Sequence, residues 1–136
     1  MIREIVRDQF FLRMPARPAT ANDVPIADDL IDTLRANAER CVGMAANMIG
    51  ENVRIIVFAE NGKYAEMFNP MIVKKDSPFE CEEGCLSLEG QRPTRRYRSI
   101  KVQWQTRGMK PRVRVFTGFT AQIIQHEVDH LYGIII

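Results

Sequence analysis

The chain has 136 residues, 46% of them apolar and 26% charged, with a net charge of +2 at pH 7. That content supports a single domain over residues 1–136 with a modest core and excludes a disordered chain. So small a charge gives no reason to expect DNA as a partner, three cysteines make no disulfide framework, and no apolar run approaches a membrane span.

The opening Met1-Ile2-Arg3-Glu4-Ile5-Val6-Arg7-Asp8 is charged throughout and has no signal-peptide core. A reduced, cytoplasmic setting is expected. Pro18-Ala19-Thr20-Ala21-Asn22-Asp23 offers capping residues before a helix, on which Ile26, Leu30, Ile31 and Leu34 recur at helical spacing and face the core. Gly43 and Gly50 bracket a loop. Val53 to Phe58 is β-branched and apolar and reads as a buried strand. Asn61-Gly62 is a hairpin turn, and Tyr64 to Phe68 returns antiparallel. Met71 to Lys75, Ile100 to Gln105 and Val113 to Phe116 read as further strands, with Gly108 marking the turn between the last two. The stretch Arg92 to Lys101 is the densest positive cluster and reads as an exposed strand edge, where basic residues discourage aggregation. A final helix from about Thr120 to Leu131 carries the apolar stripe Ile124, Val128 and Leu131, and Gly133 is placed as its stop. Ile134-Ile135-Ile136 reads as a last strand. The elements sum to an α+β domain of antiparallel strands packed around a C-terminal helix.

The two histidines of the chain fall in one string, His126-Glu127-Val128-Asp129-His130. On a helix, residues four apart share a face, so two imidazoles spaced this way can grip one ion. Glu127 sits one step round, within reach of a water on that ion without being a ligand. The string therefore proposes a metal-binding helix with its own general base.

Such a metal usually takes three protein ligands. The extended pattern His-x-x-Gly-x-x-His matches through Gly133 but has Ile136 in its last place. The third ligand is therefore expected upstream, and it is not a histidine. Cys41, Cys81, Cys85 and a carboxylate remain open. Cys85 is the best placed, because Gly84 before it permits close backbone approach and Leu86-Ser87-Leu88 alternates like a half-buried strand. Cys41 and Cys81 read as small buried hydrophobes.

Glu83-Gly84-Cys85-Leu86-Ser87-Leu88, followed by Gln125-His126-Glu127-Val128-Asp129-His130-Leu131, resembles the peptide deformylase family. That family carries Glu-Gly-Cys-Leu-Ser and Gln-His-Glu-x-Asp-His-Leu in this order. A further family motif, Gly-x-Gly-Leu-Ala-Ala-Pro-Gln-Ile-Gly, is present in altered form from Cys41 to Gly50. Met1 to Val6 and Phe68-Asn69-Pro70 are also similar, so the resemblance covers nearly the whole chain.

The resemblance implies hydrolysis of the N-formyl group from the starting methionine of new proteins. It implies one divalent metal on Cys85, His126 and His130. The ion would be Fe2+ in the family's usual form, and the same donors suit Zn2+, Ni2+ or Co2+. Glu127 would move the proton, and the backbone N–H of Leu86 would face the formyl oxygen. Gly43, Met44 and Met48 would line the substrate site, with Arg96 near it. Asp129, Gln125 and Glu83 would support the ligands. The implied partners are an N-formylmethionyl peptide and the ribosome, although the C-terminal helix into which many relatives continue is not part of this sequence. Nothing in the sequence sets an oligomeric state.

The match breaks at three positions. Met48 stands where the family has glutamine, Asn47 where it has proline, and Cys41 where it has the first glycine. The family glutamine is an oxyanion donor, and methionine has no N–H to offer. Losing one such donor typically costs roughly a hundred- to a thousand-fold in rate. A slower enzyme is expected, with a protein that binds blocked peptide N-termini without efficient turnover as the alternative. Asn47, one residue away, is expected to point elsewhere.

Overall fold

The run Ile55-Ile56-Val57-Phe58 has no polar face, and the fold covers it on both sides. It lies in strand β2 (Ile55–Glu60), inside the antiparallel sheet β1-β2-β3-β4-β5. β1 (Gly43–Ala45) and β3 (Lys63–Cys85) flank it, and β4 (Leu88–Gln105) and β5 (Pro111–Thr117) continue the sheet beyond β3. The computed structural model describes residues 1–135, Leu88 and Glu89 as backbone only. Ile55 and Val57 pack with Leu30 and Leu34 of helix α2 (Val24–Ala36). Ile56 and Phe58 pack with Ile124, Val128 and Leu131 of helix α3 (Gly118–Leu131). A strand buried on both faces accounts for the unbroken apolar run.

The first helix is the four-residue α1 (Gln9–Leu12). Thr20 caps the short 3-10 turn Ala21–Asp23 that leads into α2. Its hydroxyl accepts from Asn22 N–H at 3.2 Å, and its own N–H donates to Asp23 Oδ2 at 2.8 Å. Asn61 and Gly62 make the β2–β3 turn with φ of 51° and 77°, the left-handed pair such hairpins require.

The sequence reading differs from the structure in several places. The expected strands at Tyr64 to Phe68 and Met71 to Lys75 are one strand, β3. That at Ile100 to Gln105 is the end of the longer β4. Irregularities in register between Phe68 and Lys74 bend β3 without ending it. Leu86 and Ser87 are not strand but the two-residue turn between β3 and β4, and the small Ser87 is the buried one. The basic stretch is an edge only in part. β4 pairs with β3 along its length, but β5 covers only Ser99 to Gln105. Beyond that, Gln125 of α3 engages Tyr97, accepting from its N–H and donating to its carbonyl, both at 2.8 Å. Gly108 does mark the β4–β5 turn, and the positive φ (62°) there falls on Met109. Ile134 and Ile135 form no strand, and Ile136 lies outside the described residues.

Gly133 does stop α3. It has φ 75°, and a Cβ there would lie 2.1 Å from the Arg13 carbonyl oxygen. The last three carbonyls of α3 are all taken. Ile134 N–H donates to Asp129, Gly133 N–H to His130, and Ala16 N–H to Leu131. No helix among the described residues is long and apolar enough to cross a membrane.

Candidate metal centre

Helix α3 turns two neighbouring rows of side chains toward a cavity of about 580 Å3. One row is Gln122, His126 and His130, each four residues from the next; Gln122 and His126 line the cavity, and His130 is fully buried at the end of the row. The other is Phe119, Ile123 and Glu127. The first row carries the donors and the second the base, as helical spacing requires. Facing them is the tip of the β3–β4 hairpin, where Cys85 closes β3. The register slips between Gly84 and Cys85, which pair with Gln91 and Leu88. Gly90 takes φ 75° inside that slip. A Cβ on Gly84 would lie 3.2 Å from the Gly90 carbonyl oxygen. The glycine before the thiol thus serves a close backbone approach, and the bulge turns Cys85 inward.

Cys85, His126 and His130 bring their ligand atoms within 4.8 Å of one another. His126 Nε2 and His130 Nε2 are 3.2 Å apart, and Cys85 Sγ is 3.5 Å from His130 Nε2. A tetrahedral ion with bonds of about 2.05 Å to nitrogen and about 2.3 Å to sulfur needs edges of roughly 3.3 and 3.6 Å. The donor set fits one small divalent ion. Among the described residues it is the one group of histidine, cysteine and carboxylate side chains with that convergence.

A second layer of polar groups holds the first. His126 Nδ1 lies 2.9 Å from Glu83 Oε1, so Nδ1 carries the hydrogen and Nε2 keeps its lone pair for a metal. Arg96 donates to Glu83 through Nε at 3.0 Å and Nη2 at 2.7 Å, and to Asp129 Oδ2 through Nη1 at 2.6 Å. Gln122 Nε2 donates to Glu83 Oε2 at 2.8 Å. Burial alone would raise the Glu83 carboxyl, but hydrogen bonds from His126, Arg96 and Gln122 outweigh it and hold it down at about 2. His130 Nδ1 is buried with no hydrogen-bond partner among the described residues.

Glu127 is the buried exception. Its Oε2 lies 4.0 Å from His126 Nε2, and its Oε1 has no hydrogen-bond partner among the described residues. Burial pushes its carboxyl up to about 7, where a proton carrier is most useful near neutral pH. In the metal-free protein the two imidazoles titrate apart. Burial would lower His126, but Glu127, Cys85 and Glu83 raise it to about 10. Burial and the charge on His126 push His130 down to about 3.

The remaining expected site residues divide. Gly43, Met48 and Leu86 line the cavity, and Met44 and Arg96 do not. Successive residues of β1 face opposite ways. Gly43 therefore meets α3, with a Cβ placed 2.7 Å from Ile123 Cγ2, while Met44 is fully buried on the α2 side. Arg96 is 3% exposed and spent on Glu83 and Asp129. Asn47 points away, donating to the carbonyls of Leu12 at 3.4 Å and His130 at 3.1 Å. Cys41 and Cys81 are half-buried rather than core residues, and Cys41 lines the cavity beside Gly43. Burial and the nearby Glu127 push its thiol up to about 12. Sequence reasoning missed Gln122, Phe119 and Ile123. The signal was available, since Gln122 and Ile123 lie one turn before His126 and Glu127, and Phe119 two turns before Glu127.

A thiol and two imidazoles converging on one point, with a buried carboxylate beside them on an α+β scaffold, define a mononuclear metallohydrolase. Comparison with known proteins narrows the class. The Polypeptide deformylase family model matches residues 2–136. A peptide deformylase of Clostridium beijerinckii is 55% identical over 136 residues, covering all of both chains. One of Desulfitobacterium hafniense is 32% identical over 97% of this chain and 85% of its own. The class I type b peptide deformylase of Acinetobacter baumannii, solved with Met-Ala-Ser bound, superposes with a TM-score of 0.90. It is 30% identical and covers 99% of this chain and 97% of its own. The chain belongs to the peptide deformylase family.

Proposed function

We propose that this chain is a metal-dependent hydrolase that removes the N-formyl group from the N-terminal formylmethionine of nascent peptides in the cytoplasm. The observation that carries the reading is the convergence of Cys85, His126 and His130 beside the unpaired Glu127 oxygen, in a cavity open to a peptide end. Cys85, His126 and His130 would hold the ion, with Fe2+ as the working metal. Two imidazoles and a thiolate also accept Zn2+, Ni2+ or Co2+. When bound, the ion supplies Lewis acidity and lowers the pKa of a water at the site.

The chain's own groups do the rest. Glu127 is walled in by Gly43 and Ile123, and its free oxygen accepts a proton from the attacking water and returns it to the departing amine. The Leu86 N–H, at the hairpin tip next to Cys85, is the backbone donor for the developing oxyanion. Phe119, Ile123 and Met48 give the cavity apolar wall for a methionine side chain. Arg96 acts at one remove, through Glu83 and Asp129, rather than on the peptide. The bound Met-Ala-Ser of the A. baumannii relative supports a peptide ligand.

Full-length identity of 55% to a named deformylase disfavours a protein that only binds blocked N-termini. The donor missing at Met48 then lowers the rate without changing the reaction. The test is formate release from a formyl-methionyl peptide by protein loaded anaerobically with Fe2+. Turnover is expected, and Met48→Gln should raise it about a hundred-fold or more. One metal per chain with no formate released would sink the reading.

A further inference from the structure

Gln122 stands in the donor row of α3 one turn before His126, half-buried in the cavity wall. Its amide nitrogen is turned toward strand β3. It donates to Glu83 Oε2 at 2.8 Å and lies 3.7 Å from Cys81 Sγ, so both amide hydrogens are directed at strand β3. Glu83 divides its oxygens. Oε1 faces His126 Nδ1 at 2.9 Å and Arg96 Nη2 at 2.7 Å. Oε2 is held by Gln122 and by Arg96 Nε at 3.0 Å, an N–H it shares with Oε1. Remove the Gln122 donor, and Oε2 keeps only that shared contact and a long one from the Cys81 thiol at 3.7 Å. The carboxylate plane is then held mainly from the Arg96 side and can tilt more easily, and the oxygen aligning His126 tilts with it.

We infer that Gln122 is a positioning residue, whose amide fixes the Glu83 carboxylate that aligns His126 and so governs how firmly the metal is retained. This rests on the reading of Cys85, His126 and His130 as metal ligands. Partners that orient ligating imidazoles are typically worth about ten- to a hundred-fold in metal affinity. Gln122 acts one link further out, so about five- to ten-fold is expected. A side chain that merely lined the substrate site would change KM and leave metal retention alone.

The test measures release of Zn2+ from the loaded protein into a chromogenic pyridylazo chelator. Gln122→Met keeps the length of the side chain and removes its N–H. Release about five-fold faster or more, with KM for a formyl-methionyl peptide within about two-fold, is expected. In a Glu83→Ala background the same substitution should add nothing, because its route to His126 is already cut. Unchanged release with a raised KM would overturn the inference, as would an equal acceleration in both backgrounds. If Gln122→Met does not fold, Gln122→Asn, whose amide stops short of Glu83, is judged by the same two criteria. Wild-type protein that holds no Zn2+ would overturn the metal-centre reading itself. Wild-type protein that retains it, beside a variant that retains it equally, would overturn only the role of Gln122.

Discussion

Gly43 lets strand β1 and helix α3 approach closely enough to set the position of Glu127. A Cβ at residue 43 would stand 2.7 Å from Ile123 Cγ2 and 3.1 Å from both Glu127 Cγ and Oε2. Carbon atoms prefer about 3.5–4.0 Å, so Gly43→Ala demands roughly 1 Å of room. Neither side gives easily. Gly43 pairs with Phe58 in the sheet, and Ile123 is a buried residue of α3. Overpacking of this kind costs about 1–3 kcal/mol. At about 2.1 cal/mol/K per residue, 1 kcal/mol is worth roughly 3–4 °C here, giving a fall in Tm of about 4–10 °C. The base is displaced in the same move. A 1 Å misplacement can cost about a hundred-fold, so a shift of half that should lower kcat about ten-fold. Metal content should stay at that of wild type, because the donors occupy the neighbouring row. Thermal unfolding and formate release on metal-loaded protein give the two numbers. A variant melting within about 1 °C of wild type, with kcat within two-fold, would refute the claim that Gly43 sets the base.

Other consequences follow from the same site. Cys85→Ser should leave purified protein with less than about a tenth of wild-type metal, read by elemental analysis, since a hydroxyl is a far poorer ligand than a thiolate. Arg96→Met strips the buried Glu83 of its guanidinium and should destabilise by about 3–5 kcal/mol, or at least 10 °C in Tm. A melting point within a few degrees of wild type would show that the ion pair is dispensable. The Glu83 carboxyl is depressed in the fold from 4.5 to about 2. Its stabilisation is therefore complete above pH 4.5 and is lost as pH falls toward 2. Denaturant titrations of the metal-free protein should show stability dropping across that window, and a flat profile would contradict the network.

How much the sequence disclosed depended on whether a signal was local. His126, Glu127 and His130 were readable because helical spacing converts directly into a shared face. Asn61-Gly62 and Gly133 were readable because their backbone angles exclude most side chains. Cys85 needed more than spacing, because its meeting with α3 is made by a hairpin tip far away in sequence. Leu86-Ser87-Leu88 misled, since an alternating triplet reads the same in a strand and across a two-residue turn. Met44 was assigned to the cavity because a motif does not reveal which residues of a strand face which way. Arg96 was placed near the peptide when burial between two carboxylates commits it elsewhere. Gln122 was overlooked although it sits at the same spacing as the two histidines.

The β3–β4 hairpin carries Cys85 at its far end like a cantilever, and such an arm would ordinarily swing. Two props stop it. Gln125 clasps the backbone at Tyr97, and Arg96 rivets the arm to Asp129 of α3. These contacts hold the thiol beside the imidazoles, with Sγ 3.5 Å from His130 Nε2. An ion arriving there has little chain to order, so its binding energy is not consumed in folding the site, unlike in the small zinc domains that collapse only around their metal. Metal exchange should then proceed on an intact scaffold. Stripping and reloading with a different ion become a practical way to compare metals in one and the same protein.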